Sequence, residues 1–150
     1  MADDPHDLAR FLDAQKSVYE QALTEVEAGR KRSHWMWFIF PQLAGLGSSA
    51  ISERYAIRSL AEARAYLEHP ALGSRLVECA KAAASVPGRT ARDIFGSPDD
   101  MKLRSCATLF AHVSPEGSIF HRLLEKYFKG APDRRTLELL GQLPQTAADR

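Results

Sequence analysis

The spacing of apolar residues constrains this chain more than any other feature. Leu8, Phe11, Leu12, Val18, Tyr19, Leu23 and Val26 fall on one face when wound as a helix. They predict one long first helix, with Asp3, Asp4 and Asp7 at its positive end and Gly29 as its stop. The same spacing returns at Leu72, Leu76, Val77 and Ala80, at Met101, Leu103, Leu109 and Phe110, and at Ile119, Phe120, Leu123, Leu124, Tyr127 and Phe128. No segment alternates with a period of two, so a sheet has no strands to build from. The expected fold is all-α: a compact single-domain bundle of about six to seven helices over residues 1–150, with a buried aromatic segment near its centre. About 1–6 and 144–150 are expected to be frayed termini.

Punctuation supports this reading. Ser59 with Glu62 reads as a capping box, and Pro70 fits the first turn of the helix after it. Ser97, Pro98, Asp99 and Asp100 combine a capping hydroxyl, a first-turn proline and acids facing the dipole; this helix should run to about His112. Ser114 and Pro115 are expected to open the next helix, Gly130 to stop it, and a short last helix to start near Asp133. "GLGSS" lacks the lysine of a phosphate-binding P-loop and reads as a turn into a short helix over 51–55, capped by Ser48 or Ser49. "HWMWFIF" is short enough to be strand or helix; without a strand partner, a buried helical turn capped by Ser33 and ended by Pro41 is preferred.

Composition excludes some functions. A formal net charge of +1 gives no general nucleic-acid-binding face. The longest apolar run, Trp35 to Phe40, is far too short for a membrane span, and "MADDPHD" is no signal peptide. Two cysteines without CxxC spacing suit a reduced, cytoplasmic protein. The five histidines show no metal-ligand spacing, so neither a metal nor another cofactor is expected.

"AQKSVYEQAL", "HWMWFIFPQLAGLG", "EARAYLEHPALGSRL", "IFG" and "DDMKLRSCATLF" together resemble the domain-of-unknown-function family 1810, often labelled calpastatin-like. The resemblance runs from about Leu8 to Leu140 and implies a compact, mostly helical domain with no established activity. Ala14 to Lys16 and the turn at Ile94 to Gly96 are also faintly similar to the NADAR group, helical proteins acting on ADP-ribose-type N-glycosidic bonds. That likeness implies a ligand of the same class.

The candidate site mixes aromatic faces with polar groups. Gln15, Lys31, Trp35, Trp37, Gln42, Ser49 and Tyr55 are candidate ligand-binding residues from the first third of the chain. Lys102 and Ser105 join them from the helix that Asp99 opens, where Asp99 and Lys102 can share a face. Glu25, His34 and Asp99 are the candidate catalytic groups, since cleavage of an N-glycosidic bond calls for a carboxylate. Each has a duller reading: Trp35 to Phe40 as core, Arg30 to Arg32 as a solvated helix end, and Asp99 and Asp100 as helix-start charges.

Two function classes follow. One is a small-molecule site, binding or hydrolysing a nucleotide or ADP-ribose-like ligand, which requires His34, Gln42, Lys102 and Ser105 to converge on a pocket with a tryptophan wall. The other is a protein-interaction or assembly module, which requires an exposed apolar patch.

Overall fold

The stripe from Leu8 to Val26 is divided between two helices, α1 (Ala9–Gln15) and α2 (Tyr19–Glu27), rather than carried by one. Its periodicity lapses after Leu12, and the core position one turn beyond Phe11 belongs to Gln15. The Gln15 amide donates to the Phe38 carbonyl at 2.8 Å and the Tyr66 hydroxyl at 3.0 Å, and its oxygen accepts from Arg75 at 3.2 Å. The chain turns at residues 16–18, which lets α1 pack on the aromatic segment and α2 on a different helix.

The computed structural model describes residues 4–141. Eight further helices follow: α3 (Met36–Ile39), α4 (Ala50–Arg54), α5 (Leu60–Glu68), α6 (Leu72–Ser85), α7 (Ala91–Phe95), α8 (Asp99–Ala111), α9 (Ile119–Phe128) and α10 (Arg134–Leu139). The described residues form no strand, only an isolated parallel bridge between Leu43 and Ile57. The fold is therefore all-α, and six of its helices have seven residues or more. Two helices organise it: α6 packs against α2, α5 and α9, and α8 against α5, α7, α9 and α10. No described helix is long and apolar enough to cross a membrane.

The aromatic segment lies in the core as expected. Trp35, Ile39 and Phe40 are buried around α3, and Trp35 and Phe40 pack against Phe95 of α7. A second run of ring contacts links Tyr55, Phe11, Tyr66, Phe110 and Phe120. Both cysteines are free and buried; burial pushes the Cys79 thiol up to about 12.

Caps correct several expected boundaries. Ser59 caps α5 as expected, Ser49 rather than Ser48 caps α4, and Asp133, near which the last helix is expected to start, caps α10; the Glu62 carboxylate does not complete a capping box. It accepts instead from the Arg58 N–H and from Arg10. Ser33 does not cap α3, because its hydroxyl donates to Glu25, and Ser97 does not cap α8, whose first turn follows Pro98. The helix expected from Ser114 starts at Ile119, capped by Ser118. His69 Nδ1 accepts from the Ala71 and Leu72 N–H groups where α6 begins, after Pro70. Asp4 accepts from the Leu8 and Ala9 N–H groups, and the His6 carbonyl accepts from Arg10. Of the ends expected to fray, residues 1–3 and 144–150 lie outside the described residues.

The α5–α6 corner depends on Gly73. A Cβ there would sit 1.9 Å from the Leu67 carbonyl oxygen, a backbone atom that cannot rotate aside. Gly73→Ala is expected to destabilise by about 2–3 kcal/mol through overpacking. An unchanged melting temperature would show that the corner opens freely.

Candidate functional site

The segment between α2 and α3 is organised by one carboxylate. Glu25 Oε1 accepts from the Arg32 N–H at 2.8 Å, the Ser33 N–H at 3.0 Å and the Trp35 indole N–H at 2.9 Å. Its Oε2 accepts from the Ser33 hydroxyl at 2.6 Å and the Gln21 amide at 3.0 Å. Burial alone would raise its pKa, but these charge-assisted bonds outweigh burial and hold it at about 2. The lone pairs that a general base would use are already committed to the loop.

Asp99 is bound in a similar way. Its two oxygens accept from Lys31 and Lys102, each at 2.9 Å. Burial opposes its ionisation, and the two ammonium groups overcome that effect and lower its pKa. Lys31 lies 5.1 Å from the Trp35 ring centroid and Lys102 lies 4.2 Å from that of Trp37. The cluster ties the start of α8 to the aromatic segment and fixes Trp37 through a cation–π contact.

Trp37 also borders a cleft of about 350 Å³. This cleft forms because residues 42–57 fold back on themselves: the Ile57 N–H donates to the Gln42 carbonyl at 2.8 Å, and the Ala44 N–H to the Ile57 carbonyl at 2.7 Å. The turn inside this loop presses on α4. A Cβ on Gly47 would fall 2.6 Å from Ser52 Oγ, so only glycine fits there. Trp37, Gln42, Glu53, Tyr55 and Arg58 all line the cleft. Gln42 is 6% exposed, and its side-chain nitrogen is buried without a hydrogen-bond partner. Glu53 and Arg58 are exposed, and neither side chain is paired with another group among the described residues. The wall containing Tyr55 is fixed from behind by Arg10, which donates to the Arg54 carbonyl at 2.7 Å and the Ala56 carbonyl at 2.8 Å.

The expected site residues divide accordingly. Trp37, Gln42 and Tyr55 meet in the cleft, and Ser49 caps the helix beside it. Lys31, Asp99 and Lys102 form the neighbouring ion cluster, and Lys102 reaches the cleft only through Trp37. Gln15 and Trp35 are buried in the core, with their polar atoms bonded inside it. Ser105 is buried, and its hydroxyl donates to the Met101 carbonyl at 3.1 Å instead of meeting Lys102. His34 is exposed and borders no described cavity. The convergence of His34, Gln42, Lys102 and Ser105 therefore does not occur. Glu53 and Arg58 were absent from the expected set, because their place depends on the fold-back at Leu43 and Ile57 and no local pattern marks them. Among the described residues, no group of three or more His, Cys, Asp or Glu side chains is placed to hold a metal. Among the described residues, the exposed large hydrophobics are Ile51, Met101 and Leu139.

Comparison with curated proteins returns no match. Among solved structures, the crystal structure of the conserved hypothetical protein Rv1873 from Mycobacterium tuberculosis is similar along nearly the whole chain. The two are 54% identical with a TM-score of 0.90, over 92% of this chain and 99% of that one. The profile described as "Protein of unknown function (DUF1810)" matches residues 5–140, and this chain belongs to that family.

Proposed function

We propose that the cleft beside Trp37 binds a small, planar, anionic ligand of the nucleotide or ADP-ribose type. The unpaired Arg58 side chain beside two aromatic residues in one cleft carries this reading. Trp37 and Tyr55 offer aromatic surface for a flat ring, and Arg58 offers an unpaired guanidinium for an anionic group. The volume suits the reading too, lying near the lower end of the ~300–1,000 Å³ common to ligand pockets. A hydrolytic step in this cleft would draw its carboxylate from Glu53, since Glu25 and Asp99 are held by bonds outside it.

Arg58→Ala tests the reading. The side chain is exposed, so the ligand-free protein should keep its melting temperature. The same change should sharply reduce stabilisation by an anionic ligand. In wild type, a ligand at a hundredfold excess over its Kd should add about 2.7 kcal/mol, read as a thermal shift against nucleotides, NAD and ADP-ribose. No shift from any of these compounds would remove the reading and leave the interaction module as the alternative to pursue.

A further inference from the structure

Glu53 and Arg58 carry opposite charges, line one small cleft and do not pair with each other. Their hydrogen-bonding needs differ. An ionised carboxylate only accepts, so Glu53 calls for a ligand with hydroxyl or N–H donors. A guanidinium only donates, through a planar fork that matches phosphate. The rings of Trp37 and Tyr55 line the same space. The complementary ligand therefore carries a flat ring, a pair of hydroxyl donors and a phosphate.

We infer that the cleft recognises a ribonucleoside 5′-phosphate, with the base against Trp37 and Tyr55, the ribose diol on Glu53 and the phosphate on Arg58. This inference rests on the nucleotide reading above and narrows it. Glu53 repels the phosphate while Arg58 attracts it, which fixes the direction in which the ligand lies. A carboxylate facing a ribose diol distinguishes ribose from 2′-deoxyribose, because the deoxy sugar leaves one acceptor position empty. The modest volume favours one nucleotide unit, so the second half of a dinucleotide would extend beyond the cleft.

The test is calorimetric titration of the four ribonucleoside 5′-monophosphates, their 2′-deoxy counterparts and the parent nucleosides. Titrations would use wild type, Glu53→Gln and Arg58→Ala. Both side chains are exposed, so ligand-free melting temperatures should match wild type. The best ribonucleotide should bind wild type about tenfold more tightly than its deoxy form, the scale of one charge-assisted hydrogen bond. Glu53→Gln should erase that preference. Arg58→Ala should weaken the nucleotides by about tenfold or more and leave the nucleosides unchanged. Equal binding of ribo and deoxy forms by wild type, or a preference that survives Glu53→Gln, would overturn this assignment while leaving the nucleotide reading intact. Absence of binding by every compound would overturn both.

Discussion

Glu25→Ala is expected to cost about 3–5 kcal/mol, a large share of the stability of a chain this size. The variant would leave the Trp35 indole N–H and the Arg32 and Ser33 amides without their acceptor, in a segment that cannot fully rehydrate. The measurement is urea denaturation at pH 7, where a loss below about 1 kcal/mol would contradict the role assigned here. The effect should also depend on pH with a definite sign. Glu25 has a folded-state pKa of about 2 against an ordinary value of 4.5. Its stabilisation is therefore fully present above about pH 4.5 and is lost as pH falls towards 2. The difference between wild type and Glu25→Ala should be widest at neutral pH and narrower by pH 3. A constant difference would mean that packing, rather than the ionised carboxylate, holds the loop.

Arg10→Met should cost a similar ~3–5 kcal/mol, for a different reason. Arg10 and Glu62 form a 2.6 Å ion pair with side chains only 5% and 2% exposed. All of Arg10's nitrogens donate, to the carbonyls of His6, Asp7, Arg54 and Ala56 and to Glu62. Removing the guanidinium strands a buried carboxylate, which costs more than the pair contributes when both partners are present. The double variant Arg10→Met/Glu62→Leu should then be less destabilised than the sum of the single changes, a coupling read from a double-mutant cycle. Simple additivity would indicate that water already reaches the pair. The ligand response should also fall in Arg10→Met at temperatures where it remains folded, because the two carbonyls it holds flank Tyr55.

Neither residue was singled out as structural by the sequence. Arg10 sits in the polar gaps of an apolar stripe and resembles an ordinary solvated charge. Only the approach of residues 54–56 and of α5 encloses it. In sequence Glu25 is a candidate catalyst because cleavage of an N-glycosidic bond calls for a carboxylate, but the chain from 30 to 35 closes over it and uses its oxygens. Trp35 and Trp37 are two residues apart in one aromatic run, and their surroundings still diverge. The first turns its indole N–H inward to Glu25, and the second lies between Lys102 and the cleft.

By itself, the sequence determined what depends on neighbours within one helical turn. The all-α class, the burial of the aromatic segment and the cap at Ser59 all follow from residue spacing and local hydrogen bonding. The tertiary structure alone decided which polar groups face a cavity and which complete the core. That choice turns on the fold-back joining Leu43 to Ile57, which brings Gln42, Glu53 and Arg58 into one cleft. Helical periodicity records which face of a segment is apolar. It holds no information about the distant segment that will cover a given side chain or leave it open, because that contact forms only when the helices pack.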